Sequence, residues 1–187
     1  MVAVMDRAAD RVRALASRVE AKDPYTDAHT QRVAESAWRI GVRMHLSAAD
    51  LDALFLGGYI HDIGKISVPV DILLKPGALD EDERNTMEVH PVVGAKIAAF
   101  LACEDAQTVV RHHHERYDGS GYPDGLAGEE IPLLARIVAV CDAYDAMTND
   151  RPYRARQSRE EAMAVLRVGA GRQWDPAIVR VFLAQTA

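Results

Sequence analysis

Eight residues scattered through the middle of the chain have side chains that bind divalent cations: His29, the adjacent pair His61-Asp62, His90, the run His112-His113-His114, and Asp142. An imidazole offers one neutral nitrogen lone pair. A carboxylate has two oxygens and can bridge two cations, so the pair His61-Asp62 could serve both ions of a binuclear centre. Lys65 follows at i+3 from Asp62 and i+4 from His61. On a continuing helix its ammonium would reach the same place, where it could meet a phosphate. Successive helical residues point about 100° apart, so the three histidines of the run cannot all aim at one centre. Spacing alone does not choose among them. The chemistry these residues suggest is metal-assisted hydrolysis.

The string His61-Asp62-Ile63-Gly64-Lys65, together with Asp142, resembles the HD phosphohydrolase superfamily. The stretch from His113 to Pro123, which reads HHERYDGSGYP, resembles the marker of its HD-GYP branch. The likeness extends to Asp23-Pro24-Tyr25-Thr26 before His29, to His90-Pro91, and to Asp150-Arg151-Pro152-Tyr153-Arg154, all in the expected order. What the resemblance implies is a cyclic di-GMP phosphodiesterase that yields pGpG, GMP or both through attack of a metal-bound hydroxide.

The resemblance selects His113 and His114 from the run and leaves His112 packed or facing away. It implies His29, His61, Asp62 and Asp142 on one cation and Asp62, His90, His113 and His114 on the other. Asp62 and Lys65 would be catalytic. Lys65, Gly121, Tyr122, Pro123, Arg151 and Arg154 would meet substrate, with Tyr122 placed to stack on a guanine. Asp145 would hold structure or pair with an arginine. Two divalent cations are implied, iron or manganese by preference. A third is not expected, because Tyr25 stands where some members carry an acidic residue. The resemblance also raises diguanylate-cyclase domains as partners for the glycine-rich loop. Two other readings stand beside it: a hydrolase of another cyclic dinucleotide, and a non-catalytic cyclic di-GMP sensor or scaffold.

Composition narrows the class. The 187 residues are 49% hydrophobic, enough for one domain with a sizeable core. A net charge of -6 argues against a nucleic-acid polymer as partner, since such proteins show a basic face. Positive charge for an anionic substrate would instead be local, from cations together with Lys65, Arg151 and Arg154. No apolar run approaches a membrane span, and the N-terminus lacks a signal-peptide pattern, so a cytoplasmic location is expected. Cys103 and Cys141 lie in apolar stretches without disulfide or metal spacing and read as buried, reduced thiols.

Glycine and proline punctuate the chain into about eight helical segments without strand alternation, so an all-α, HD-domain-like bundle is expected. Residues 1–22 form an amphipathic segment that either packs on its own domain or offers a seam for signalling or homodimerisation. Residues 23–187 would be the catalytic domain. One face of residues 27–46 carries His29, Val33, Ala37, Ile40 and Met44. Residues 48–63 place Leu51, Leu54, Phe55 and Gly58 on the stripe leading to His61. Asp80 with Glu83 reads as a capping box whose helix runs to His90, where Pro91 ends it. Glycines within residues 117–131 make a loop, Pro132 opens the next helix, and Ser158 and Asp175 open the last two.

Overall fold

Small residues decide how closely the first two helices approach. The computed structural model describes residues 26–149 and 156–186. Helix α1 (Thr26–Arg43) buries Val33, Ala34, Ala37 and Ile40 along one face, with His29 on the same side. Helix α2 (Ala48–Ile60) begins at a capping box in which the Asp50 N–H donates to Ser47 Oγ and the Asp50 carboxylate accepts from the Ser47 N–H. The two helices touch where Gly58 lies over Ala34, so near that an added Cβ would stand 3.1 Å from the Ala34 Cα. Leu54 fills the core, whereas Phe55, expected on the same stripe, is 38% exposed. Gly57, Gly58 and Ala53 complete the inward face instead; Gly58 lies on the Ala34 backbone and Gly57 on the Val109 side chain, contacts too close for a larger side chain.

After Ile60 the chain tightens into a 3-10 turn at Ile63–Ser67. Lys65 therefore reaches Asp62 across one short turn and not along a continuing α-helix. The single-turn α3 (Val70–Leu73) and α4 (Glu81–Met87) follow, the latter opened by the Asp80–Glu83 capping box. That helix stops at Met87, and His90 opens α5 (His90–Ala98). Pro91 thus begins a helix where it was expected to end one. In a first turn its missing N–H would be unsatisfied anyway, so it costs nothing.

Helix α6 (Glu104–His112) packs on α2 and α5, and α7 (Leu133–Thr148), preceded by Pro132, runs through the middle. Its Ile137, Val138, Val140 and Cys141 are all buried. Helices α8 (Arg159–Gly169), capped by Ser158, and α9 (Pro176–Thr186), whose Ala177 N–H donates to Asp175, close the core with Leu166, Ile178 and Phe182. A smaller apolar cluster of Ile60, Ile63, Ala98 and Val110 sits beneath the 3-10 turn.

The described residues therefore hold eight α-helices of seven residues or more, plus the short α3, with no strand among them. None is long and apolar enough to cross a membrane. Both cysteines are free thiols; Cys141 is buried, while Cys103 is only partly so. The N-terminal segment, Tyr25, Arg151 and Arg154 lie outside the described residues.

Candidate metal centre

Four helix ends and the middle of α7 meet at one place. His29 comes from the start of α1, His61-Asp62 from just past α2, His90 from the first residue of α5, and His113-His114 from just past α6. Neighbouring rings lie close: His29 and His61 have centroids 5.4 Å apart, His61 and His113 5.0 Å, and His90 and His114 5.0 Å. Asp142 joins from α7, its Oδ1 3.2 Å from His29 Nε2 and 3.9 Å from His61 Nε2.

Three of these imidazoles are oriented in the same way. The Nδ1 of His61 lies 2.7 Å from the Gly58 carbonyl, that of His90 2.8 Å from Met87, and that of His113 2.8 Å from Val110. A carbonyl can only accept, so each Nδ1 carries the hydrogen and each Nε2 is left with a lone pair. All three Nε2 atoms converge on Asp62. Its Oδ1 is 3.3 Å from His90 Nε2 and 3.9 Å from His113 Nε2, and its Oδ2 is 3.4 Å from His61 Nε2.

Acceptor therefore faces acceptor. The Nε2 atoms of His90 and His113, 3.4 Å apart, have no hydrogen to share, and His61 Nε2 is buried with no hydrogen-bond partner. Such an arrangement is repulsive in low dielectric unless a cation stands among the lone pairs. The donor set thus fits divalent cations. Its atoms fall into two groups that share Asp62: Asp62 with His90, His113 and His114, and Asp62 with His29 and His61.

Electrostatics differ between the two groups. Burial, followed by the neighbouring imidazoles, holds His113 well below its ordinary pKa and His114 down to about 3, leaving both neutral. His29 runs the other way. Burial pulls it down, but hydrogen bonds to Asp142 and Asp145 outweigh that and raise it to about 9. Without a cation it is an imidazolium between two carboxylates. Burial would raise Asp62 and Asp142, yet Lys65 beside the first and the His29 hydrogen bond to the second keep both below the carboxylate range.

Asp145 accounts for the orientation of His29. It lies 2.7 Å from His29 Nδ1 and is itself gripped by Arg32, whose Nε and Nη2 donate to its two oxygens at 2.6 and 2.9 Å. Asn149 adds a bond at 3.0 Å. The expected pairing of Asp145 with an arginine is thus present. Arg32 was not singled out from the sequence, although it stands three residues after His29, on the same edge of α1 as the histidine.

Lys65 Nζ donates to Asp62 Oδ2 at 2.6 Å. Lys65, His114 and Asp142 are the partly exposed members, and they form the accessible edge of the centre. The glycine-rich loop lies beside it. Gly121 packs on the chain at Glu115 and Arg116, where a Cβ would stand 2.2 Å from the Arg116 nitrogen. The Tyr122 N–H donates to the His114 carbonyl, and the Tyr122 ring stacks on the His114 ring at 4.9 Å. One face of the ring expected to stack on a guanine is therefore occupied by an imidazole. The Tyr122-Pro123 peptide is cis. Buried Glu115 accepts from the Asp124 and Leu126 N–H groups and ties the loop to the end of α6. It too was passed over in the sequence, where only its place after the histidine pair marked it.

A family model described as HD domain matches residues 13–178. The chain is 40% identical over 183 residues to the cyclic di-GMP phosphodiesterase response regulator RpfG of Xanthomonas campestris pv. campestris, covering 96% of this chain and 48% of that protein. It is 39% identical over 165 residues to 3'3'-cGAMP-specific phosphodiesterase 1 of Vibrio cholerae, covering 84% and 37%. The chain thus spans about half the length, or less, of these curated relatives. Among solved structures, Bd1817, a HDG"Y"P protein from Bdellovibrio bacteriovorus, superposes with a TM-score of 0.72 at 18% identity, covering 97% of this chain and 62% of that one. That likeness concerns the fold. The family match, the helical architecture and the lone pairs gathered around His61-Asp62 agree, and the chain belongs to the HD domain family.

Proposed function

We propose that this domain is a metal-dependent phosphodiesterase that hydrolyses cyclic di-GMP to pGpG, GMP or both. The observation that carries the reading is the convergence of three Nε2 lone pairs on one buried carboxylate. His29, His61, Asp62 and Asp142 would hold one divalent cation, and Asp62, His90, His113 and His114 the other, with iron or manganese suited to mixed imidazole and carboxylate ligation. Such cations supply Lewis acidity toward phosphoryl oxygens and acidify water at neutral pH.

The chain's own residues do the rest. Backbone carbonyls fix the tautomers of His61, His90 and His113 beforehand, so binding demands little reorganisation. Lys65 stands at the accessible edge, where its ammonium would offset charge growing on the phosphoryl oxygens. Arg151 and Arg154 would hold phosphates or guanine edges, and Gly121, Tyr122 and Pro123 would form the lip that positions the substrate. Residues 23–187 would act as the catalytic unit in the cytoplasm. Residues 1–22 would serve signalling or dimerisation, and diguanylate-cyclase domains would dock on the loop.

A relative named for 3'3'-cGAMP favours a second reading, hydrolysis of that dinucleotide. Anaerobically purified protein loaded with Fe(II) or Mn(II) should be incubated in parallel with cyclic di-GMP and 3'3'-cGAMP and the products resolved by chromatography. Linear products from cyclic di-GMP are expected, falling at least about a thousandfold in Asp62→Ala. Faster turnover of 3'3'-cGAMP would support the second reading, and no product from either would return the domain to a sensing or scaffold role.

A further inference from the structure

We propose that His112, Glu115 and Asp124 form a separate site for a first-row divalent cation such as Zn2+ or Mn2+, which pins the glycine-rich loop to the end of α6. None of the three belongs to the ligand set around Asp62. Their ligand atoms lie within 4.8 Å of one another. His112 Nδ1 is 3.5 Å from Asp124 Oδ2 and 3.8 Å from Glu115 Oε1, and it is buried without a hydrogen-bond partner. Atoms bound at about 2.1 Å to one cation stand roughly 3–4 Å apart, so this spacing suits an intervening ion better than a direct hydrogen bond.

Each carboxylate is already oriented from behind. Arg111 grips Asp124 through Nε at 2.8 Å and Nη2 at 2.7 Å. Glu115 Oε1 accepts the Asp124 N–H at 2.8 Å and Oε2 the Leu126 N–H at 3.2 Å. These bonds hold both carboxylates in place and leave each oxygen further capacity to accept, the same outer support that known metal ligands receive. Charge agrees. The Glu115 side chain is fully buried and pairs with no lysine or arginine among the described residues. Arg111 pairs with Asp124, so the two carboxylates of the cluster outnumber its arginine and lysine partners by one among the described residues, and a cation would offset the difference.

The cation would join residue 112 on the helix to residue 124 in the loop, across the segment in which Tyr122 stacks on His114. The test is diffraction from crystals of the full chain soaked in millimolar Zn2+, with data on both sides of the zinc absorption edge. An anomalous peak bonded to His112 Nδ1, Glu115 and Asp124 is expected. It should be lost in His112→Gln, whose circular dichroism and anomalous peaks around Asp62 stay unchanged. In solution the same variant should bind one zinc fewer per chain. Absence of the peak in the unsubstituted protein, or its persistence in His112→Gln, would overturn the site whatever the domain's activity proves to be.

Discussion

Asp145 controls the proposed metal ligand His29 from one bond away. Its carboxylate fixes the His29 ring, and Arg32 and Asn149 fix the carboxylate. Removing such an outer partner typically weakens metal affinity about 10–100-fold. Asp145→Asn and Arg32→Met should show that loss in chelator competition, while Arg32→Lys should recover only part of it, because an ammonium cannot make the two-pronged contact. The same cluster sets a pH dependence. His29 is raised from 6.5 to about 9 in the folded, cation-free protein. Its contribution to stability is therefore fully present below pH 6.5 and disappears as pH rises through about 9. Asp142 and Asp145 act in the opposite sense, since both are held below the carboxylate range and their contribution is lost in acid. The Tm of cation-free protein should fall between pH 6.5 and 9, and His29→Gln should flatten that fall.

Among the elements, the 3-10 turn after α2 has the tightest tolerance. Gly64 lies so near α5 that a Cβ would stand 1.9 Å from the His90 carbonyl oxygen and 2.6 Å from the Gly94 nitrogen. Both are backbone atoms and cannot swing aside. This approach puts Asp62 beside His90, so the glycine between the aspartate and Lys65 serves both the packing and the geometry of the candidate centre. Gly64→Ala should cost about 2–4 kcal/mol and separate the two ligands, read as a lower denaturant midpoint and a lower metal content. Helix starts were legible in the sequence where a side chain caps locally, as at Asp80, Ser158 and Asp175. The end of α4 was not, because Pro91 suits a first turn as well as it stops a helix, and the choice fell to what α5 packs against.

For the whole molecule, binding and folding are linked. The candidate ligands are collected from five helices, and only the folded chain brings them together, so any cation bound to that state stabilises it by mass action. Chelation should lower the Tm of cation-loaded protein by several degrees, and the difference should shrink in Asp62→Ala, which removes the carboxylate shared by both groups. A cation-independent loss is expected in the core. Phe182, buried against Tyr144, should cost about 3–5 kcal/mol when replaced by alanine, without altering metal stoichiometry.

The sequence by itself determined the helical periods, the caps and the ligand types, because each depends on residues within a turn or two of one another. It also carried the family resemblance, through strings such as residues 61–65 and 113–123. Tertiary structure alone decided which lone pairs meet, since His29 and Asp145 are 116 positions apart and no local rule relates them. It decided that Arg32 grips Asp145, that Phe55 gives way to glycine where α2 meets α1, and that Tyr122 lies on His114. These are matters of which surfaces come together, and that is settled by the packing of whole helices, not by the spacing within any one of them.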